Sequence, residues 1–134
     1  MKLDDEVREL VYQTTVRTGR PPRAQDIAAS FGCVESEVFD AFRRLRERKL
    51  LALARESGEI IMAPPFSAAP TPFQVVTAAQ SYFANCVWDA YGIPAALHQD
   101  AQVESSCACC GDPMRLEVRG GVPVSAKGIA HFAV

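Results

Sequence analysis

A chain of 134 residues is long enough for one domain, or for two very small ones sharing a core. Hydrophobic residues make up 49% of it, which supports a packed interior and argues against a disordered chain. Fourteen basic and sixteen acidic side chains leave a net charge of −2, so bulk charge carries neither a nucleic-acid nor a membrane-surface role. No stretch approaches the ~20 apolar residues that span a bilayer. The opening MKLDDEVREL is charged and amphipathic, unlike a signal peptide. A cytoplasmic setting is expected, in which Cys33, Cys86, Cys107, Cys109 and Cys110 are thiols and not disulfides.

In chain order, residues 1–63 read as helix, helix, helix, hairpin. Val7, Leu10, Val11 and Thr14 recur at helical spacing, and Pro21 and Pro22 end that helix. A short helix is expected over 24–31, stopped by Gly32. A longer one follows over 35–49, with Val38, Phe42 and Leu45 on one face. Residues 50–63 read as two short strands around Ser57-Gly58. This is the order of a winged helix-turn-helix. Arg43, Arg44, Arg46, Arg48 and Lys49 offer phosphate contacts, but they end the helix, where they also complement its dipole. The start of such a helix normally reads bases, and here it carries Glu35 and Glu37. Nucleic-acid binding is therefore not expected.

Residues 64–73, PPFSAAPTPF, read as a stiff, extended linker with four prolines. A strand is expected at 73–76. Thr77 and Gln80 then suit a capping box opening a helix over 78–91, with Gly92 as its left-handed end and Pro94 blocking its resumption. Strands are expected over 101–107 and 114–120, separated by the turn CACCGDP, and VPVSAKG is a third. The fold class is α+β: the winged-helix-like module, then a small helix-plus-antiparallel-sheet core over 74–134.

The residues that carry chemistry lie in two places. Cys86 and Asp89, three apart on the expected helix, share a face with Tyr82. That helix reads as apolar nearly all round and so as buried, and burial of a carboxylate favours its protonated form. A proton donor beside a soft nucleophile is a possible chemical unit. On spacing alone, a core cysteine and an aspartate reaching solvent is the commoner arrangement. Cys107 and Cys110 form a C-x-x-C knuckle ahead of Gly111, half of a zinc site or a soft-metal trap. A structural zinc needs a second knuckle, and only Cys33, Cys109, His98 and His131 are left over.

The runs FSAAPTPF, YFANCVWDAYGIPAAL and SSCACCGDPMRLEV together resemble the alkylmercury (organomercurial) lyases of bacterial mercury resistance, over roughly residues 64–134. The resemblance implies protonolysis of a carbon–mercury bond to a hydrocarbon and Hg(II). It gives Cys86 the mercury-binding thiolate, Asp89 the proton delivery, and Cys107, after the Ser-Ser pair, a structural role. No cofactor is implied; mercury is substrate and product, an exogenous thiol takes part, and Hg(II) passes on to a mercuric reductase. In the family a second catalytic cysteine lies beyond the segment matching HFAV, where this sequence ends, so a shortened member is expected. Cys109 and Cys110 are then candidates for the missing mercury ligand. Two alternatives are a protein that binds mercury or another thiophilic metal without turnover, and a winged-helix regulator with a cysteine sensor.

Overall fold

Three helices open the chain, α1 (Lys2–Thr18), α2 (Ala24–Phe31) and α3 (Glu35–Glu47), in a computed structural model that describes residues 2–125 and 128. Helix α1 buries Val7, Val11 and Thr15, one turn apart. Helices α2 and α3 start where a carboxylate three residues on reaches back. Asp26 accepts the Arg23 amide at 3.2 Å, and Glu37 the Val34 amide at 3.3 Å. Gly32, at φ 65°, ends α2 in the left-handed conformation. The helices enclose Val7, Val11, Ile27, Val38, Phe42 and Leu45.

Asp4 is buried at 3% exposure and is held by the Arg44 guanidinium, with Nε 3.0 Å from both carboxylate oxygens and a terminal nitrogen 2.7 Å from Oδ1. The hydrogen bond to Arg44 keeps the Asp4 carboxyl below its ordinary range, against the opposing effect of burial. This fork pins α3 to the start of α1.

The strands β1 (Ala52–Leu53), β2 (Ile60–Ala63) and β3 (Phe66–Ser67) form a small antiparallel sheet in that order. The helix–helix–helix–strand–strand order expected for residues 1–63 is present. Residues 64–73 differ from the expected linker, because β3 lies within them and pairs with β2. Phe66 is buried at 2% exposure and its ring lies 5.2 Å from that of Tyr82.

A second sheet contains β4 (Gln74–Val76), β5 (Ser81–Phe83), β6 (Ala101–Ser106), β7 (Pro113–Arg119) and β8 (Val122–Ser125), in the order β5-β4-β6-β7-β8 with all neighbours antiparallel. Register aligns Tyr82, Val75, Val103 and Leu116 across four strands. Alternation along each strand puts all four on one face. That face is covered by Ala90 and Ile93 of α4 (Val87–Leu97).

Residues 77–97 depart from the expected arrangement. The helix expected over 78–91 begins only at Val87 and runs to Leu97. Thr77 and Gln80 do make the bonds of a cap, but they close a hairpin. The Thr77 hydroxyl accepts the Ala79 and Gln80 amides at 3.2 and 3.1 Å, and the Thr77 amide donates to the Gln80 carbonyl at 2.9 Å. The aromatic residues Tyr82 and Phe83 then pair with Val75 and Gln74, as suits side chains that pack well on a pleated surface. Gly92 lies inside α4 and is no cap. Pro94 is also inside, both it and Ile93 being buried, and His98 at φ 53° ends the helix. Packing offsets the hydrogen bond that proline removes. The expected third strand starts as β8; Ala126 and Lys127, and His131, lie outside the described residues.

Helix α1 ties both sheets together along a seam. Tyr12 Oη donates to the Pro64 carbonyl at 2.8 Å, Tyr82 Oη to the Val16 carbonyl at 2.7 Å, and Gln80 Nε2 to the Arg17 carbonyl at 2.9 Å. Burial raises the Tyr82 phenol above its ordinary value and so keeps it a neutral donor. At Gly19, φ 90°, a Cβ would stand 2.6 Å from the Ser81 carbonyl oxygen, so only glycine lets α1 end against β5.

Candidate active site

Strand β4 runs antiparallel to both β5 and β6, so β5 and β6 point the same way. Helix α4 connects them, carrying the chain back across the sheet. The start of α4 and the carboxyl ends of β5 and β6 therefore share one edge. Cys86 follows β5 by three residues and the cysteine turn follows β6 directly, with β4 between the two strands. Two strand spacings amount to roughly 10 Å.

Cys86 is the N-cap of α4, in extended conformation at φ −154°. Its carbonyl accepts the Ala90 amide at 3.0 Å, while its side chain makes no capping hydrogen bond. Among the described residues the sulfur has no hydrogen-bond partner, and it lies at a helix end whose free amides favour negative charge. Asp89 occupies the third helical position. N-cap and third-position side chains gather over the same helix end, the relation that a capping box exploits. Cys86 and Asp89 thus belong to one helix end, but not in the buried setting expected for them. Cys86 and Asp89 are half-buried, and Trp88 between them is 73% exposed. The carboxyl is therefore not fully desolvated, and both residues are in part open to solvent.

Two residues missing from the sequence reading fix the chain entering Cys86. Thr71 Oγ1 donates to the Ala84 carbonyl at 2.5 Å, and Asn85 Nδ2 donates to the Phe66 carbonyl at 3.3 Å. Asn85 Oδ1 is buried without a partner. Thr71 sat in the expected linker and Asn85 in the expected helix, so periodicity carried no signal for either.

The segment Cys107–Gly111 is a single hydrogen-bonded turn. The Gly111 amide donates to the Cys107 carbonyl at 2.8 Å, and the Cys107 amide to the Asp112 carbonyl at 2.8 Å. Cys107 is half-buried; Cys109 and Cys110 are exposed. Hydrogen bonds from the Cys110 and Cys109 amides, and then from the Cys110 thiol, hold the Cys107 thiol below its ordinary value. Among the described residues no three or more His, Cys, Asp and Glu are gathered as a metal cage. Cys33 packs against the first core and His98 ends α4. Two clefts, of about 410 and 440 Å³, lie on the helical module; Arg43, Arg46 and Arg55 line the first, and Arg17, Arg20 and Arg23 the second.

A family model described as alkylmercury lyase, MerB, matches residues 66–132, which includes both the Cys86 helix end and the cysteine turn. The chain belongs to the alkylmercury lyase family. Among solved structures, the fold is similar to the crystal structure of the mercury-bound form of MerB2, with a TM-score of 0.66 at 22% identity. That likeness covers 90% of this chain and 59% of the other, so the chain spans about three-fifths of the length of that relative. The similarity extends to the α+β architecture of helices and antiparallel sheets described above. Comparison with curated proteins returned no match. Among the described residues no helix is long and apolar enough to cross a membrane.

Proposed function

We propose that this family member cleaves the carbon–mercury bond of small organomercury compounds, with Cys86 binding mercury and Asp89 relaying the proton. The observation that carries this reading is the uncommitted Cys86 sulfur at the N-cap of α4, with Asp89 at the third position of the same helix end. The steps balance without a redox change. The organomercury cation replaces the proton of the Cys86 thiol, and the Asp89 carboxylate accepts that proton. Asp89 then returns it to carbon; the carbon–mercury bond breaks, its electron pair forms the carbon–hydrogen bond, and the hydrocarbon departs. Hg(II) stays on Cys86, where an exogenous thiol supplies a second soft sulfur. Holding the acid beside the breaking bond is worth ~7 kcal/mol or more as effective molarity. No resident cofactor is required.

The Hg(II) product then leaves for stronger thiol ligands, such as those of a mercuric reductase. A nucleic-acid role is left aside in this reading because three of the arginines at the end of α3 face carboxylates and its start carries Glu35 and Glu37. Arg43 pairs with Asp40, Arg44 with Asp4 and Arg48 with Asp5. A cytoplasmic location follows from the same reading, since free thiols persist in a reducing compartment.

The test is incubation with phenylmercury and excess monothiol, with benzene measured in the headspace. Benzene from the wild-type chain, and none from Cys86→Ser, is the expected result. Stoichiometric mercury uptake without benzene would leave a mercury-binding protein and sink the lyase reading.

A further inference from the structure

The turn that joins β6 to β7 carries three cysteines in four residues, and the proton relay uses none of them. We infer that Cys107 and Cys110 form a second soft-metal site, separate from Cys86, that chelates Hg(II) between two thiolates. The inference does not depend on turnover at Cys86.

The geometry comes from the turn. The Gly111 amide closes on the Cys107 carbonyl, which makes residues 107–111 one helical turn. In such a turn, side chains three apart lie on the same side. Hg(II) in linear coordination needs two thiolates only, so two neighbouring sulfurs suffice where zinc needs four ligands. The lack of a three-ligand cage among the described residues therefore fits this ion better than zinc. Gly111, at φ 77°, ends the turn in a conformation that other residues resist, and the Cys107–Asp112 hydrogen bond closes its base. The backbone turn is formed without metal, and Cys110 is exposed to receive it.

The binding step is ligand exchange. Mercury bound to two monothiols moves to Cys107 and Cys110; two mercury–sulfur bonds form and two break. The two protein thiol protons leave with the released monothiols. The second protein sulfur binds intramolecularly, which makes the dithiol outcompete monothiols at equal concentration. Cys109 points elsewhere on the turn's periodicity and is not a required ligand.

The experiment uses the full chain in the Cys86→Ser background, which removes the thiol of the proposed active site. Mercuric chloride is added with a large excess of cysteine, and retained mercury is measured after dialysis together with the ultraviolet mercury–thiolate absorption. One equivalent should be retained. Adding Cys110→Ser should weaken retention at least 100-fold, and adding Cys109→Ser should change it less than about threefold. Cys110 is exposed, so its replacement leaves the core intact, and circular dichroism checks that the fold is kept. Retention unchanged by Cys110→Ser, or stripping of Cys86→Ser by cysteine, would overturn the inference. Benzene release by Cys110→Ser in an otherwise wild-type chain tests the lyase reading separately, because that variant keeps Cys86 and Asp89.

Discussion

The helical module and the thiol-bearing sheet are both rich in apolar residues, yet they use them differently. In the first, Val38, Phe42 and Leu45 repeat at helical spacing and fill one core. In the second, Tyr82, Val75, Val103 and Leu116 form a row across four strands, and α4 covers it. The first arrangement is local and needs little of the rest of the chain. The second brings together residues far apart in sequence, and it is this sheet edge that carries Cys86 and the cysteine turn. The seam through Tyr12, Gln80 and Tyr82 makes one region the support of the other.

That dependence can be broken from the helical side. Phe42 is fully buried, so Phe42→Ala should cost about 3–5 kcal/mol in chemical denaturation, the usual cost of an emptied aromatic site. Because the seam couples the regions, amide exchange should accelerate at Val103 in β6 as well as in α3. Acceleration confined to α3 would mean that the two regions unfold separately.

A smaller effect tests the seam itself. Gly19→Ala sets a Cβ against the Ser81 carbonyl in a left-handed backbone, and should cost about 2–3 kcal/mol. The loss should appear in the β4–β5 hairpin, measured by amide exchange at Val75.

The smallest effect sharpens the account of the helical core through pH. The Asp4 carboxyl titrates below its ordinary value of 3.8 because Arg44 donates to it. A lowered folded-state value stabilises the fold above pH 3.8, and that contribution fades as pH falls through the folded value. Acid titration followed by circular dichroism should therefore show wild type losing stability below pH 3.8 more steeply than Asp4→Asn. Asp4→Asn should also start from a lower stability at pH 7.

The contrast between the regions also governs how much the sequence revealed. Helices α1 to α3 were legible because apolar spacing there agrees with the local caps at Asp26 and Glu37. Strands β4, β6 and β7 were legible from alternation. Residues 77–97 were misread because Thr77 and Gln80 satisfy a hairpin turn with the same hydrogen-bonding groups that open a helix. Pro94 misled in the other direction, since burial beside Ile93 holds it inside α4. Cys86 and Asp89 fall on one helix in either reading, now as its N-cap and third residue. The buried setting expected for them is absent, since exposure of Trp88 depends on where the helix begins. Thr71 and Asn85 were invisible, as their partners at Ala84 and Phe66 lie across the fold.

The central claim is that Asp89 moves a proton for a mercury ion held by Cys86. Single-turnover benzene release from phenylmercury by Asp89→Asn, with retained mercury measured on the same sample, tests it most directly. The account predicts benzene release slowed by about 10²–10⁴-fold while phenylmercury stays bound at Cys86. Benzene released at the wild-type rate, or loss of mercury binding together with release, would contradict it.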